Sequence, residues 1–426
     1  MNKKIMDYLF VNRSSKQTVM KNTFWLFLAD GVNKVTLLIL TILLARYLGV
    51  AGYGKFSFAL SFAALFTIIA SFGINTLTVR ELARTKSSHN NYLNNLLFLK
   101  CVLAIIAIVF IALASTFAGK NFEHQLLIFV LGLYVIFNNF SDFFRAVFKA
   151  FEKMQYEALS KVVQSIILLI LVLLSFYLRV SINWIAACYV AASVIGLLVT
   201  GLLIHTKFSG LRFKFDAIIC RRILSESWPF ALSSVFFFIY FSIDTVMLSF
   251  MRGDVEVGTY SVAYSLIAAL YFIPYLMSMP FFPKMSKLFG GVKSKINSLL
   301  KHWYSNLILV LVPLFILTFI FADDIILLLY GYNYSKSILV FRILLISLIF
   351  KFMSHPPAFS LSAFNQQKKR ILVQGVVALF NVVTNLIFIP IYGFLGAAVT
   401  TVASEFLLLL LYNFIFFKSI NGGVTK

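Results

Sequence analysis

The sequence predicts an all-α integral membrane protein of about twelve transmembrane helices in two six-helix lobes, related by a pseudo-two-fold axis along the membrane normal. Three observations carry that expectation: about twelve apolar stretches of spanning length, basic residues crowded into alternate gaps between them, and a motif of the first half that returns 204 residues later. Hydrophobic residues make up 61% of the chain and the mean hydropathy is +0.93, well above the roughly half-apolar usage of soluble domains.

A helix needs roughly 20 apolar residues to cross the hydrocarbon core. The basic, polar segment 1–21 precedes the first such run, 22–45, which is of full spanning length and lacks a small-residue cleavage signal. It reads as a retained helix, not a removed signal peptide. Runs 56–79 and 96–117 flank a gap with three basic residues at 80–86, and 125–148 and 158–178 meet around four at 145–161. Runs 182–204 and 227–250 flank five at 207–222, and 258–282 and 303–321 flank five at 284–301. Runs 338–363 and 371–391 flank Lys368, Lys369 and Arg370, and 394–417 precedes a short basic tail.

With the N-terminus in the cytoplasm, 27 of the 37 basic residues fall inside and six outside, leaving Lys34, Lys100, Arg342 and Lys351 within spans. One missed helix would invert the sorting of everything after it, so twelve spans with both termini cytoplasmic is the expected topology. The expected segments are a cytoplasmic 1–21, an N-lobe 22–204, a basic cytoplasmic linker 205–226, a C-lobe 227–417 and a cytoplasmic tail 418–426. The formal charge of +22 is then mostly positive-inside bias, attracted to anionic membrane lipids; no soluble domain is left to display a nucleic-acid surface.

The repeat aligns 41–61 with 245–265. Thr41/Thr245, Leu44/Leu248, Gly49/Gly253, Gly54/Gly258, Ser57/Ser261, Ala59/Ala263 and Ser61/Ser265 are identical, well above chance for so apolar a composition. Six is even, so duplicated six-helix units keep one orientation, the arrangement of lobes that rock about a midplane site. All eight prolines lie in the second half; Pro274 and the Pro356–Pro357 pair are expected to break and bend spans eight and ten.

Enzyme chemistry finds no foothold. There is no Gly-rich phosphate loop ending in Lys-Ser/Thr, the five histidines are scattered, and Cys101, Cys188 and Cys220 are isolated, so neither catalytic residues, a metal centre nor a cofactor is expected.

Several segments in order resemble one family: RYLGVAGYGKFSFA (46–59), FGINTLTVRELAR (72–84), FFRAVFKAFEKM (143–154), SIDTVMLSFMRGDVEVGTYSVAYSL (242–266) and NVVTNLIFIPIYGFLGAAVTTVASE (381–405). Together they look like the polysaccharide-biosynthesis membrane proteins, the repeat-unit flippases of the multidrug/oligosaccharidyl-lipid/polysaccharide exporter superfamily. The resemblance implies O-antigen or capsule-type transport at the bacterial plasma membrane: an undecaprenyl-diphosphate-linked oligosaccharide carried across by two lobes around a hydrophilic, cationic cavity. With no nucleotide-binding loop, energy is expected from an ion gradient, the membrane potential or the substrate gradient; H+ or Na+ are the candidate coupling ions and a polysaccharide polymerase a candidate partner. Competing readings are a multidrug or peptidoglycan-precursor exporter of the same superfamily, and a membrane polysaccharide polymerase, which the short outer gaps disfavour.

Charges at bilayer depth are costly unless paired or hydrated, which makes them site candidates. Asp30 and Lys34 are four apart, hence on one face of span one; either they face the cavity, with Lys34 attracting a diphosphate, or they neutralise each other. Lys351 is the second candidate cation, and Glu405 closes the family-like GAAVTTVASE stretch. Asp30, Asp244 and Glu405 are candidates for binding a coupling ion. Arg80 and Arg145, near span ends, can snorkel to water or meet the diphosphate with a planar fork; Lys100 and Arg342 are also expected to snorkel.

Overall fold

A computed structural model describes residues 14–84, 89–119, 121–207, 214–289 and 292–421. Those residues are helical throughout, with no strand among them. The first half runs α1 (Ser15–Leu65), α2 (Thr67–Ser71), α3 (Ile74–Arg84), α4 (His89–Ala118), α5 (Phe122–Ala150), α6 (Met154–Tyr177) and α7 (Ile182–Lys207). The second runs α8 (Ala217–Arg252), α9 (Asp254–Leu270), α10 (Phe272–Ser278), α11 (Phe281–Lys287), α12 (Lys293–Ile320), α13 (Ala322–Tyr330), α14 (Ser337–Ala363), α15 (Gln367–Tyr392) and α16 (Phe394–Asn421), with one 3-10 turn at Tyr332–Tyr334.

Among the described residues, eleven helical stretches are long and apolar enough to cross a bilayer, and one of them, Gln17–Arg84, has 68 residues, enough for two spans. The chain is therefore a multi-pass all-α membrane protein of about twelve spans. The 51 residues of α1 as one straight helix would run about 76 Å, more than twice a hydrocarbon core of roughly 30 Å. Gly49 (φ 67°, ψ 178°) interrupts it, and Gly253 (φ 93°, ψ −178°) separates α8 from α9. Only glycine occupies that backbone region routinely, which explains why both copies of the repeat keep it.

The two halves use corresponding helices in the same way. In the first, α5 packs along α7, α4 and α3; in the second, α14 packs along α16, α9 and α12. Phe143, Val147 and Phe148 of α5 are fully buried, as are Leu344, Leu345, Leu348 and Phe352 of α14.

The duplicated stretches also meet each other. A Cβ placed on Gly54 would lie 1.8 Å from the Asp254 carbonyl oxygen, and one on Gly258 would lie 2.0 Å from that of Val50. Each glycine thus faces the residue four before its own counterpart, a reciprocal pattern that a local two-fold generates. Small residues at such crossings let helix backbones approach closely. Nearby, Arg46 donates to the Leu328 and Leu329 carbonyls at the end of α13, the Nε–O distance to Leu329 being 2.7 Å. Arg252 does the same for Ile389 (3.2 Å), Pro390 (2.7 Å) and Ile391 (3.0 Å) at the end of α15. Final helix carbonyls lack intrahelical donors and carry the negative end of the dipole, which suits a guanidinium.

Two compact units result: residues 1–40 with 59–235, and residues 41–58 with 236–426. The expected lobes divide the chain at the linker instead. Segment 41–58 goes with the second unit because Gly54 lies on α9 and Arg46 binds α13. As for the prolines, span eight is broken into α9, α10 and α11, with Pro274 inside α10, whereas α14 continues unbroken through Pro356 and Pro357.

Candidate functional site

In the first unit, two spanning helices carry polar stripes. Asn138, Asp142, Arg145 and Lys149 fall on one face of α5, and Glu157, Lys161, Gln164 and Ser165 on one face of α6. Arg145, 4% exposed, donates to Asp142 Oδ1 (3.0 Å), Ser160 Oγ (3.1 Å) and Gln164 Oε1 (2.5 Å). Gln164 Nε2 passes the chain to Asn138 Oδ1 (3.2 Å), and Ser165 Oγ donates to Asn33 Oδ1 of α1 (3.0 Å). Lys161 bridges Asp30 Oδ1 (2.9 Å) and Glu157 Oε1 (3.0 Å); the buried Glu157 also meets Lys149 at 3.1 Å. A cavity of about 210 Å³ lies among Asn33, Tyr134, Asn138, Asp142, Arg145, Lys161, Gln164 and Ser165, with Leu37 and Leu168 as its apolar wall.

Three carboxylates and three cations balance here, and each buried ion has a partner, the condition under which ions at such depth are tolerated. Asp30 is paired with Lys161, 131 residues away, in addition to lying one helical turn from Lys34. Arg145 does not snorkel, because Asp142, Ser160 and Gln164 offer it acceptors in the interior. Lys161, sorted by sequence among the loop cations, is a central member of the cluster. Its signal was the polar spacing 157, 161, 164, 165 on an otherwise apolar helix.

Two further cations of the first unit are engaged structurally. Arg80 is held between Glu81 (2.7 Å) and Glu226 (2.9 Å), over the Phe230 ring at 5.5 Å. Lys100 is 1% exposed, contrary to the expected snorkelling. Its ammonium donates to Ala70 O (2.9 Å), Asn75 Oδ1 (3.3 Å) and Asn139 Oδ1. It satisfies a carbonyl at the break where Phe72 (φ 42°) and Gly73 (φ 73°) separate α2 from α3.

The second unit holds two clusters. Lys351 Nζ lies 2.9 Å from Glu405 Oε1 and 5.0, 5.1 and 5.5 Å from the ring centres of Tyr271, Tyr240 and Phe241. Asp244, 4% exposed, accepts from Asn385 Nδ2 (2.5 Å) on one oxygen and from Tyr260 Oη (3.0 Å) and Thr401 Oγ1 (2.9 Å) on the other. Asn385 Nδ2 also donates to Asn381 Oδ1 at 3.0 Å, and Thr400 Oγ1 donates to Asn385 Oδ1. Asp244 has no salt-bridge partner among the described residues. Asn381, Asn385, Tyr260 and Thr401 are neutral and escape a search for intramembrane charge. The described residues contain no group of three or more His, Cys, Asp or Glu able to hold a metal.

A family described as Polysaccharide biosynthesis protein matches residues 19–289, and the MatE family matches 229–391. A Shigella dysenteriae protein named for O-antigen transport is 26% identical over 63% of this chain and 68% of its own length. The capsular polysaccharide biosynthesis protein CapF of Staphylococcus aureus is 21% identical over 94% of this chain and 100% of its own. Among solved structures, the lipid II flippase MurJ superposes with a TM-score of 0.75 at 15% identity, covering 93% of this chain and 87% of that one.

Proposed function

Because the chain belongs to the polysaccharide biosynthesis protein family, which matches 19–289, we propose that it is a flippase for an undecaprenyl-diphosphate-linked oligosaccharide repeat unit. It carries that unit from the inner to the outer leaflet of the bacterial plasma membrane by alternating access, for O-antigen or capsule synthesis. Both termini lie in the cytoplasm, and a polymerase takes up the delivered unit.

The observation that supports this best is the polar cavity of the first unit. An isolated ionised group meeting bare hydrocarbon faces a barrier of tens of kcal/mol, and sugar hydroxyls add several more. Asn33, Asn138, Gln164 and Tyr134 offer neutral donors and acceptors suited to hydroxyls, while Arg145 and Lys161 supply positive potential for phosphate in a low-dielectric setting. Since both cations already have carboxylate partners, the anionic group competes with Asp142 and Asp30 and does not fill an empty cation. The lipid tail stays in the bilayer throughout. Asp244, ringed by neutral oxygen and amide groups, is the place for a coupling H+ or Na+.

Deletion of the gene tests the reading. The lipid-linked unit should accumulate on the inner leaflet, out of reach of an impermeant lectin applied to spheroplasts, with surface polymer lost. Normal arrival at the outer leaflet, in a strain with no second flippase, would sink it. The match of MatE to 229–391 favours export of small organic compounds as the second reading; hypersensitivity of the deletion strain to cationic drugs with intact surface polymer would select it.

A further inference from the structure

Lys351 sits in surroundings with the chemistry of a receptor for an organic cation. Three aromatic rings, from Tyr240, Phe241 and Tyr271, lie within 5.5 Å of its ammonium, inside the range at which a ring face attracts a cation. The Glu405 carboxylate closes a further side at 2.9 Å. A buried lysine ammonium can be served by a few neutral oxygens alone, as around Lys100. The three rings add cation–π attraction for an ammonium beyond what the carboxylate supplies. The lysine side chain is 14% exposed and Glu405 1%, so the nest is sheltered but reachable along the lysine stem.

We infer that Lys351 is the built-in occupant of an organic-cation site formed by Tyr240, Phe241, Tyr271 and Glu405, and that by filling it the chain excludes cationic compounds from transport. The inference rests on the transporter reading only for its last step, since occupation of the nest is a binding property. It makes Lys351 a specificity-determining residue: its fixed charge repels a second cation, and its stem takes the volume that cation would need. A chain with the same rings and carboxylate but a short neutral residue at 351 would accept an alkylammonium group.

The test is calorimetric titration of the purified full-length protein in detergent with n-propylammonium, using n-propanol as the neutral control. Lys351→Ala should bind n-propylammonium at least tenfold more tightly than the wild-type protein, with no response to n-propanol. Adding Glu405→Gln should abolish the gain. Where Lys351→Ala does not fold, Lys351→Ser must show the same tenfold gain. Equal affinity in wild type and variant, or a gain that survives Glu405→Gln, would overturn the inference. Failure here leaves the flippase reading intact, because that reading is decided by the leaflet assay and not by alkylammonium binding.

Discussion

Substituting Gly54 by alanine tests the reciprocal helix crossing directly. The new methyl carbon would start 1.8 Å from the Asp254 carbonyl oxygen, 2.7 Å from its carbon and 2.9 Å from Gly258 N. An ordinary carbon–oxygen approach is roughly 3.3 Å, so the helices must part by about 1.5 Å, and all three of these neighbours are backbone atoms that cannot swing aside. Overpacking of this kind costs about 1–3 kcal/mol; at about 2 kcal/mol the unfolding temperature of a chain this long falls by about 2 °C. Gly258→Ala should cost a similar amount through Val50 O at 2.0 Å. The two glycines share one contact, so the losses should not add: once Gly54→Ala has spread the helices, the second methyl enters space already opened. The measurement is the unfolding midpoint in detergent at one fixed scan rate, because multi-span proteins unfold irreversibly. Losses that sum in the double variant, or single variants as stable as wild type, would refute the crossing.

Other outcomes follow from the same contacts. Lys161→Met should strip Asp30 and Glu157 of the ammonium they share, leaving the buried Glu157 to Lys149 alone, and lower the amount of folded protein seen by in-gel fluorescence; adding Asp30→Asn and Glu157→Gln should restore it. Asp244→Asn keeps an acceptor oxygen while losing the charge, so folding should persist while flipping in vesicles stops responding to an imposed Na+ or H+ gradient; an unchanged response would remove Asp244 from coupling. Arg252→Ala exposes the carbonyls of Ile389, Pro390 and Ile391 and should lower stability by about 1–3 kcal/mol, with Arg252→Lys recovering part, as read by the unfolding midpoint. In a background without Cys101, Cys188 and Cys220, cysteine at Asn333 should react with an impermeant thiol reagent from outside the cell and cysteine at Lys369 should not; reversal at either position breaks the charge-based topology.

The spans were legible because bilayer thickness imposes a length that composition alone reveals. Where a span stops was less so: the gap between spans one and two is helical except at Gly49, since one glycine suffices to change direction without a loop. The site was legible as a set of charges but not as a set of pairs. Spacing along a helix shows only neighbours one turn away, so Asp30 suggests Lys34 and gives no sign of Lys161, the ion-pair partner 131 positions on. Lys351 and Glu405 stood out individually for the same reason, and their pairing across 54 positions needed the fold. Lys100 shows the opposite limit: snorkelling is a property of the side chain, but a broken helix nearby supplied acceptors that no pattern announces.

The packing of α5 with α7, repeated by α14 with α16, means that a chain of half this length would already bury a core of its own. It would nonetheless leave one face without a match, because the stretch bearing Gly54 lies against the stretch bearing Gly258. A complementary surface for such a half-length chain is offered by the same stretch of a second copy, related by a local two-fold axis. In that homodimer a single change at the glycine would clash twice, once from each subunit. After gene fusion each copy is free to vary alone, yet either change still meets backbone, so fusion relaxes selection on everything around the axis except the two glycines that lie beside it.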